Sequence, residues 1–199
     1  HRALNIPSQG SPTGTQCLHA IGAGEAGMIY ERVTAIADRN ERFHSDEITY
    51  LSIGEGATSE GEFWESLNTA CTKSVPVLYL VEDNGYAISV PVDAQTPGGS
   101  ISKLVENFPN LKVLRCDGTD YLDSYHTLGE AVAWVRNERK PAFVHAKVTR
   151  PYSHSAADTQ SKYRLAQEME WELEHDPIDR LEIVKEAMGT ITDQERKLL

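Results

Sequence analysis

Residues 47–54, "EITYLSIG", alternate between polar and apolar side chains and then run apolar toward Gly54, the pattern of a strand in a sheet interior. Three further runs read the same way: "VPVLYLVE" (75–82), "LKVLRC" (111–116) and "PAFVHAKV" (141–148). Between them the apolar period lengthens to that of a helix. Leu18, Ile21, Gly22, Met28, Ile29, Val33 and Ile36 recur at mainly helical spacing across residues 15–38, where three glycines imply close packing against another element. After Gly54, Ser59 with Glu62 forms a capping-box signature, and Phe63, Leu67, Ala70 and Cys71 make the apolar face of the next helix. A turn at "DGTD" precedes a helix over 121–136, whose stripe is Leu122, Tyr125, Leu128, Val132 and Val135. From Tyr163 onward the chain is polar and helical, while 93–99 and 149–162 read as long irregular loops. Strands separated by helices predict an α/β fold with a parallel sheet flanked by helices, and ligands at the carboxyl ends of its strands. The organisation expected is a main unit over 1–162 and a C-terminal helical extension over 163–199.

Composition narrows the function classes. The 199 residues are 40% hydrophobic and 25% charged, enough for one globular core. A net charge of −11 repels a polyphosphate backbone, so nucleic acid is not an expected partner, and an anionic small ligand needs help such as a metal ion. No apolar stretch is long enough to cross a bilayer and no signal-peptide pattern opens the chain, so an intracellular, non-secreted protein is expected. Cys17, Cys71 and Cys116 are odd in number and far apart, which predicts reduced, partly buried thiols. The chain starts at His1 in a loop-like segment without methionine, so an excised fragment is expected.

The candidate chemistry lies at "GEGATSEGEFWESLNTA" (54–70). Gly54 and Gly56 let backbone approach a ligand at a strand end. The following helix presents unpaired N–H groups suited to a diphosphate, and Glu55 can hold a divalent cation between them. Alone, such a triplet also occurs in ordinary turns. Here 26 residues (57–82) separate Gly56 from "DNGYAISVP" at the end of the next strand. The combination resembles the motif of thiamine diphosphate enzymes: a Gly-Asp-Gly triplet, a spacer of that length and an Asn-Asn pair. The resemblance implies a thiamine diphosphate-binding fold in which Glu55, the side chain of Asn84 and the carbonyl of Tyr86 bind Mg²⁺, with Gly54, Gly56 and Ala57 at the cofactor. All three metal ligands are oxygens, as a hard cation requires. Glu55 stands where Asp is usual, moving the carboxylate out by one bond, about 1.5 Å. "GEGA", "SEG" and "NGYAIS" are similar to the branch in which Glu is itself usual, the alpha subunits of branched-chain 2-oxo acid dehydrogenases. Asp83 in place of the first Asn adds negative charge beside the site.

The likeness extends from about Gly10 to about Leu181. "SPTGTQ" (11–16) resembles a segment in which Ser11 and Thr13 approach the thiamine and Thr15 and Gln16 a structural K⁺; a helix N-terminus capped by Thr13 or Ser11 explains the same letters. "RPYSHSAADTQSKYR" (150–164) resembles a mobile loop at the active-site entrance, making His154 the active-site histidine and Ser155 the serine that mitochondrial relatives phosphorylate. Histidine suits proton transfer because it titrates near neutral pH. "DPIDRL" (176–181) also fits the alpha-subunit pattern. His19 and His145 read as satisfied polar residues at the core edge, and His1, His44, His126 and His175 as exposed. Trp64 reads as core or subunit interface, and "EMEWELEHD" as a solvated helix face.

The resemblance implies decarboxylation of a 2-oxo acid, with "NGYAIS" pointing to a branched-chain one, and transfer of the acyl group to a lipoyl arm. It implies a beta subunit or fused beta-like half, the lipoyl domain of an acyltransferase component, and a dimer of heterodimers in a bacterial cytoplasm or organelle matrix. The partner's activating glutamate and an upstream Tyr-Arg element are not found here, so the isolated chain is expected to bind cofactor weakly and to be inactive. Rival readings are a pyruvate or acetoin dehydrogenase alpha subunit and a non-catalytic interaction module that kept the fold. A Rossmann-type nucleotide binder ranks lowest, since G-x-G-x-x-G is missing from the first strand-to-helix turn.

Overall fold

A computed structural model describes residues 6–37, 43–187 and 189. The chain opens with helices α1 (Thr15–Arg32) and α2 (Thr34–Ala37), then strand β1 (Thr49–Gly54), a 3-10 turn (Glu55–Ser59) and α3 (Gly61–Lys73). Next come β2 (Val77–Asp83), the short strands β3 (Tyr86–Ala87) and β4 (Val90–Pro91), α4 (Val92–Gln95), a 3-10 turn (Pro97–Gly99) and α5 (Ile101–Val105). The remainder is β5 (Lys112–Asp117), α6 (Tyr121–Glu138), β6 (Ala142–Lys147), a 3-10 turn (Gln160–Lys162), α7 (Ala166–Glu174) and α8 (Pro177–Ala187).

Four strands form one parallel sheet in the order β1-β2-β6-β5, and β3 pairs antiparallel with β4 in a small hairpin. The expected parallel α/β fold is borne out. β2 lies inside the sheet, with Leu51 opposite Tyr79 on one side and Tyr79 opposite Phe143 on the other. Its nearly unbroken apolar sequence follows, because both faces of the strand are covered. Val77, Tyr79 and Val81 enter one core with Cys17, Ile21, Phe63, Leu67, Ile101 and Val105 from α1, α3 and α5. Leu78 and Leu80 point the other way, to Ala131, Leu128 and Val135 of α6. Each fully buried side chain of this size contributes about 1.5–3 kcal/mol.

Several expectations change in detail. The first helix breaks at Val33, whose ψ of 77° is not helical; the end expected at Asp38 lies outside the described residues, as do His1 and residues 190–199. Leu18, Ile29, Val33 and Ile36 are exposed, and the face of α1 that packs inward is the small-residue one, Cys17, Ala20, Ile21, Gly24 and Gly27. Of the three glycines only Gly24 is tightly packed, with an added Cβ 2.7 Å from Val75 Cγ1. The Ser59–Glu62 capping box does not form. The 3-10 turn occupies residues 55–59, α3 starts at Gly61 with Glu60 as its N-cap, and no side chain caps it. The 93–99 segment contains the end of α4 and a 3-10 turn rather than loop alone, whereas 149–162 is irregular up to its last turn. In α6, Leu122 and Tyr125 face solvent, and Ala131 and Val135 carry the burial. Trp64 is half-buried against the core, in edge contact with Phe63. All three cysteines are buried and free. No described helix is long and apolar enough to cross a membrane.

Candidate functional site

β1 and β2 run in parallel register and finish together, Gly54 beside Glu82, so the residues following each strand emerge as neighbours. Glu55 begins the turn after β1. Thr58 Oγ1 donates to its carbonyl at 2.6 Å, and Gln95 Nε2 reaches the carbonyls of Glu55 and Gly56 at 3.1 and 3.0 Å and Ser59 Oγ at 2.8 Å. Gly56 is required by the segment opposite: an added Cβ would lie 2.8 Å from Ala87 Cβ. Ala57, between them in the turn, packs against the core.

The Glu55 side chain is 1% exposed. Its Oε2 accepts the Asn84 N–H at 3.3 Å, and its Oε1 is buried with no hydrogen-bond partner. Burial, helped by the charge of Asp83, pushes its carboxyl up to about 7. A buried carboxylate oxygen left unsatisfied is costly, so the pocket favours a positively charged partner from outside. The opposing turn is tight. Gly85 sits at φ +83°, its N–H donating to Asp83 Oδ1 at 2.9 Å, and the Tyr86 N–H donates to Asn84 Oδ1 at 3.2 Å. The fold therefore brings Glu55 and Asn84 into contact and places Tyr86 on the same turn. Their carboxylate, amide and carbonyl oxygens are of the type a hard cation selects. No group of three or more His, Cys, Asp or Glu side chains suited to a metal occurs among the described residues, and this set contains only one carboxylate.

Ser11 and Thr13 are exposed just before α1. Neither caps the helix: the N-cap is Gly14, at φ +83°. An added Cβ there would lie 3.1 Å from Glu60 Cβ, so this segment rests beside the turn that carries Glu55. Thr15 Oγ1 donates to the Pro12 carbonyl at 2.5 Å, and Gln16 Nε2 to the Ser52 carbonyl at 3.4 Å.

His154 and Ser155 are exposed on the 149–162 loop, where the His154 N–H donates to Asp158 Oδ2 at 2.9 Å. The Tyr163 hydroxyl donates to the same carboxylate at 2.6 Å and holds Asp158 below the usual carboxylate range. Both ends of the loop grip Tyr86. The guanidinium groups of Arg150 and Arg164 lie 5.4 and 5.1 Å from its ring centroid, Arg150 Nη1 donates to the Ile88 carbonyl at 2.8 Å, and the Tyr86 hydroxyl donates to Glu168 Oε2 at 3.1 Å. Arg164 is itself buried between Glu168 and Glu172. Such stacked cations contribute about 0.5–2 kcal/mol. Gln95 and the clamp on the Tyr86 ring were not foreseen; "VDAQTPGG" reads as plain loop, and nothing in the spacing of Arg150 and Arg164 announces a shared ring. Of the other histidines, His145 is buried and fully bonded, His19, His44 and His126 are exposed, and His175 is half-buried under Trp171.

An open parallel sheet with an unsatisfied acid at the end of one strand and an Asx turn at the end of its neighbour is the kind of place where α/β proteins bind ligands. The sequence matches the Dehydrogenase E1 component family over residues 4–199, and the chain belongs to that family. It is 34% identical over 178 residues to the 3-methyl-2-oxobutanoate dehydrogenase subunit alpha of Mycobacterium tuberculosis, covering 89% of this chain and 45% of the relative. It is 29% identical over 189 residues to the 2-oxoisovalerate dehydrogenase subunit alpha of Bacillus subtilis, covering 95% and 53%. Against the mitochondrial 2-oxoisovalerate dehydrogenase subunit alpha of Bos taurus identity is 30% over 188 residues, covering 94% and 38%. The chain thus spans about half the length, or less, of the curated relatives it matches.

Proposed function

We propose that the chain is the cofactor-binding alpha part of a thiamine diphosphate- and Mg²⁺-dependent 2-oxo acid dehydrogenase, acting on a branched-chain 2-oxo acid and passing the acyl group to a lipoyl arm. The observation that carries this reading is the partnerless, buried Oε1 of Glu55, on a carboxylate whose Oε2 accepts the Asn84 N–H of the neighbouring turn. Glu55, Asn84 and the Tyr86 carbonyl hold the cation. Gly54, Gly56 and Ala57 shape the backbone against the diphosphate, and Ser11 and Thr13 border the thiamine. Thr15 and Gln16 mark a K⁺ position. Thiamine diphosphate, when bound, supplies the electron sink for decarboxylation. His154, on the loop rooted at Arg150 and Arg164, moves protons at the entrance, and Ser155 beside it is the residue open to phosphorylation.

The diphosphate-binding unit is residues 1–162, with 163–199 as its helical extension. A beta subunit or fused beta-like half completes the site in a dimer of heterodimers, and the lipoyl domain of an acyltransferase component receives the product. The relatives' names support both the substrate class and the alpha role. A bacterial cytoplasm or organelle matrix is the matching location.

Isothermal titration of Mg²⁺ with thiamine diphosphate into the full-length chain and its partner tests the reading. Glu55→Ala is expected to abolish binding. Binding of unchanged affinity in that variant overturns the proposal, and no binding by the parent favours an interaction module that kept the fold but lost cofactor binding. Turnover of branched-chain acids ahead of pyruvate or acetoin separates the closest rivals.

A further inference from the structure

A second polar chain leads away from the Asx turn of the candidate cation site, starting at Asp83. Asp83, the last residue of β2, has a fully buried side chain whose Oδ2 lies 2.7 Å from His145 Nε2 and 2.5 Å from Lys147 Nζ. His145, on β6, is 4% exposed, and its Nδ1 lies 2.8 Å from Ser102 Oγ in α5. Ser102 is completely buried and accepts the Nε–H of Arg115 on β5 at 2.9 Å. Arg115 reaches on to Glu106 at 2.8 Å.

The direction of each bond follows from the chemistry. An ammonium can only donate, so Asp83 Oδ2 accepts from Lys147 Nζ, and the same oxygen lies within bonding distance of His145 Nε2. Nε2–H is then the donor to Asp83, and Nδ1 is the ring atom that meets the Ser102 hydroxyl. Ser102 also accepts from Arg115 and lies 3.2 Å from Ser100 Oγ. Three strands and a helix are thereby tied to one carboxylate. The other oxygen of that carboxylate, Oδ1, fixes the Gly85 N–H inside the Asx turn, and the Asp83 carbonyl accepts the Val148 N–H at 2.9 Å. The residues on either side of Gly85 are Asn84 and Tyr86.

We propose that Asp83 and His145 are positioning residues: the His145–Asp83 bond, backed by Ser102 and Arg115, sets the turn that presents the Asn84 amide and the Tyr86 carbonyl to the cation. This rests on the proposed Mg²⁺ reading. Outer partners that orient metal ligands typically change affinity by about 10–100-fold when removed.

The test is the Mg²⁺ concentration giving half-maximal binding to the full-length chain with its partner, at saturating thiamine diphosphate, read by titration calorimetry and by thermal shift. His145→Ala is expected to raise that concentration by about tenfold or more. His145→Gln, whose side-chain amide can replace Nε2–H as donor to Asp83, is expected to stay within about threefold of the parent, a rescue that bulk stability alone does not give. Ser102→Ala, which removes no volume from the site itself, is expected to weaken Mg²⁺ by a smaller factor and keeps the test open if His145→Ala does not fold. Unchanged half-saturation in both His145→Ala and Ser102→Ala, or equal loss in the alanine and glutamine variants, overturns the proposal. Glu55→Gln is run alongside: if it leaves Mg²⁺ binding intact, the cation reading itself has failed, whatever the His145 variants do.

Discussion

A methyl group added at Gly56 would meet Ala87 Cβ at 2.8 Å, and one added at Gly54 would meet nothing closer than the Glu82 carbonyl oxygen at 3.9 Å. Gly56→Ala is therefore expected to destabilise the full-length protein by about 1–3 kcal/mol through overpacking. Gly54→Ala should stay within about 0.5 kcal/mol of the parent in the same urea titration. Between them, Glu55 keeps its proton to about pH 7 rather than its ordinary 4.5. The unfolded chain releases that proton first, so without cation the folded state loses stability as pH rises from about 4.5 through about 7. Glu55→Gln removes this loss. In Mg²⁺-free buffer the variant is expected to melt near the parent at pH 5 and above it at pH 8; melting at the parent temperature at both would show that the carboxyl is not desolvated. The Gly-Glu-Gly triplet and "DNGYAISVP" were legible in the sequence because the 26-residue spacer joins two signals that are each weak alone. The unequal roles of the two glycines were not, since they depend on what folds against them, a hairpin far along the chain.

Among the elements, strands were the most legible. β2 and β6 are buried on both faces, so their apolar runs leave no second interpretation, and their expected limits lie within two residues of those found. Helix starts were less so. The Ser59–Glu62 pair carries the letters of a capping box, yet the 3-10 turn that buries Glu55 uses up Ser59, whose hydroxyl accepts from Gln95 instead. The start of α6 has the cap that α3 lacks: Asp120 accepts the N–H groups of Leu122 and Asp123 at 2.9 and 3.1 Å. Asp120→Ala is expected to lower stability by about 1 kcal/mol in chemical denaturation. No change would mean that the exposed first turn of α6 frays without cost. The stripe expected along α6 fails at its N-terminal end, where Leu122 and Tyr125 are exposed, and the helix joins the core only from Leu128 onward, through Leu128, Ala131, Val132 and Val135.

For the molecule as a whole, burial of acids and thiols sets the pH limits of stability. Desolvation pushes Cys17 and Cys71 up from 9.0 to about 11, and Tyr79 is pushed up in the same sense by its complete burial. Unfolded thiols ionise first, so the stability contributed by these buried thiols is fully present below about pH 9 and declines as pH rises toward about 11. A Cys17→Ala/Cys71→Ala double variant, less stable at neutral pH from the lost packing, is expected to show a flatter alkaline limb in equilibrium unfolding. The parallel α/β architecture was legible from alternating periods alone. What escaped was the long-range assembly: three strands and a helix joined through Asp83 and His145, and the loop of His154 rooted on Tyr86. Neither leaves a local pattern, because each joins residues from distant parts of the chain.

Tyr86 has two jobs on two different parts of one residue, its ring clasped by Arg150 and Arg164 and its main-chain oxygen turned over to the proposed ion site. Saturation mutagenesis replaces only the first. A tolerance map of this protein will therefore score Tyr86 as an anchor for the 149–162 loop and stay blind to its oxygen. Backbone editing, such as an ester in place of the peptide bond that follows Tyr86, is needed to weigh that contribution.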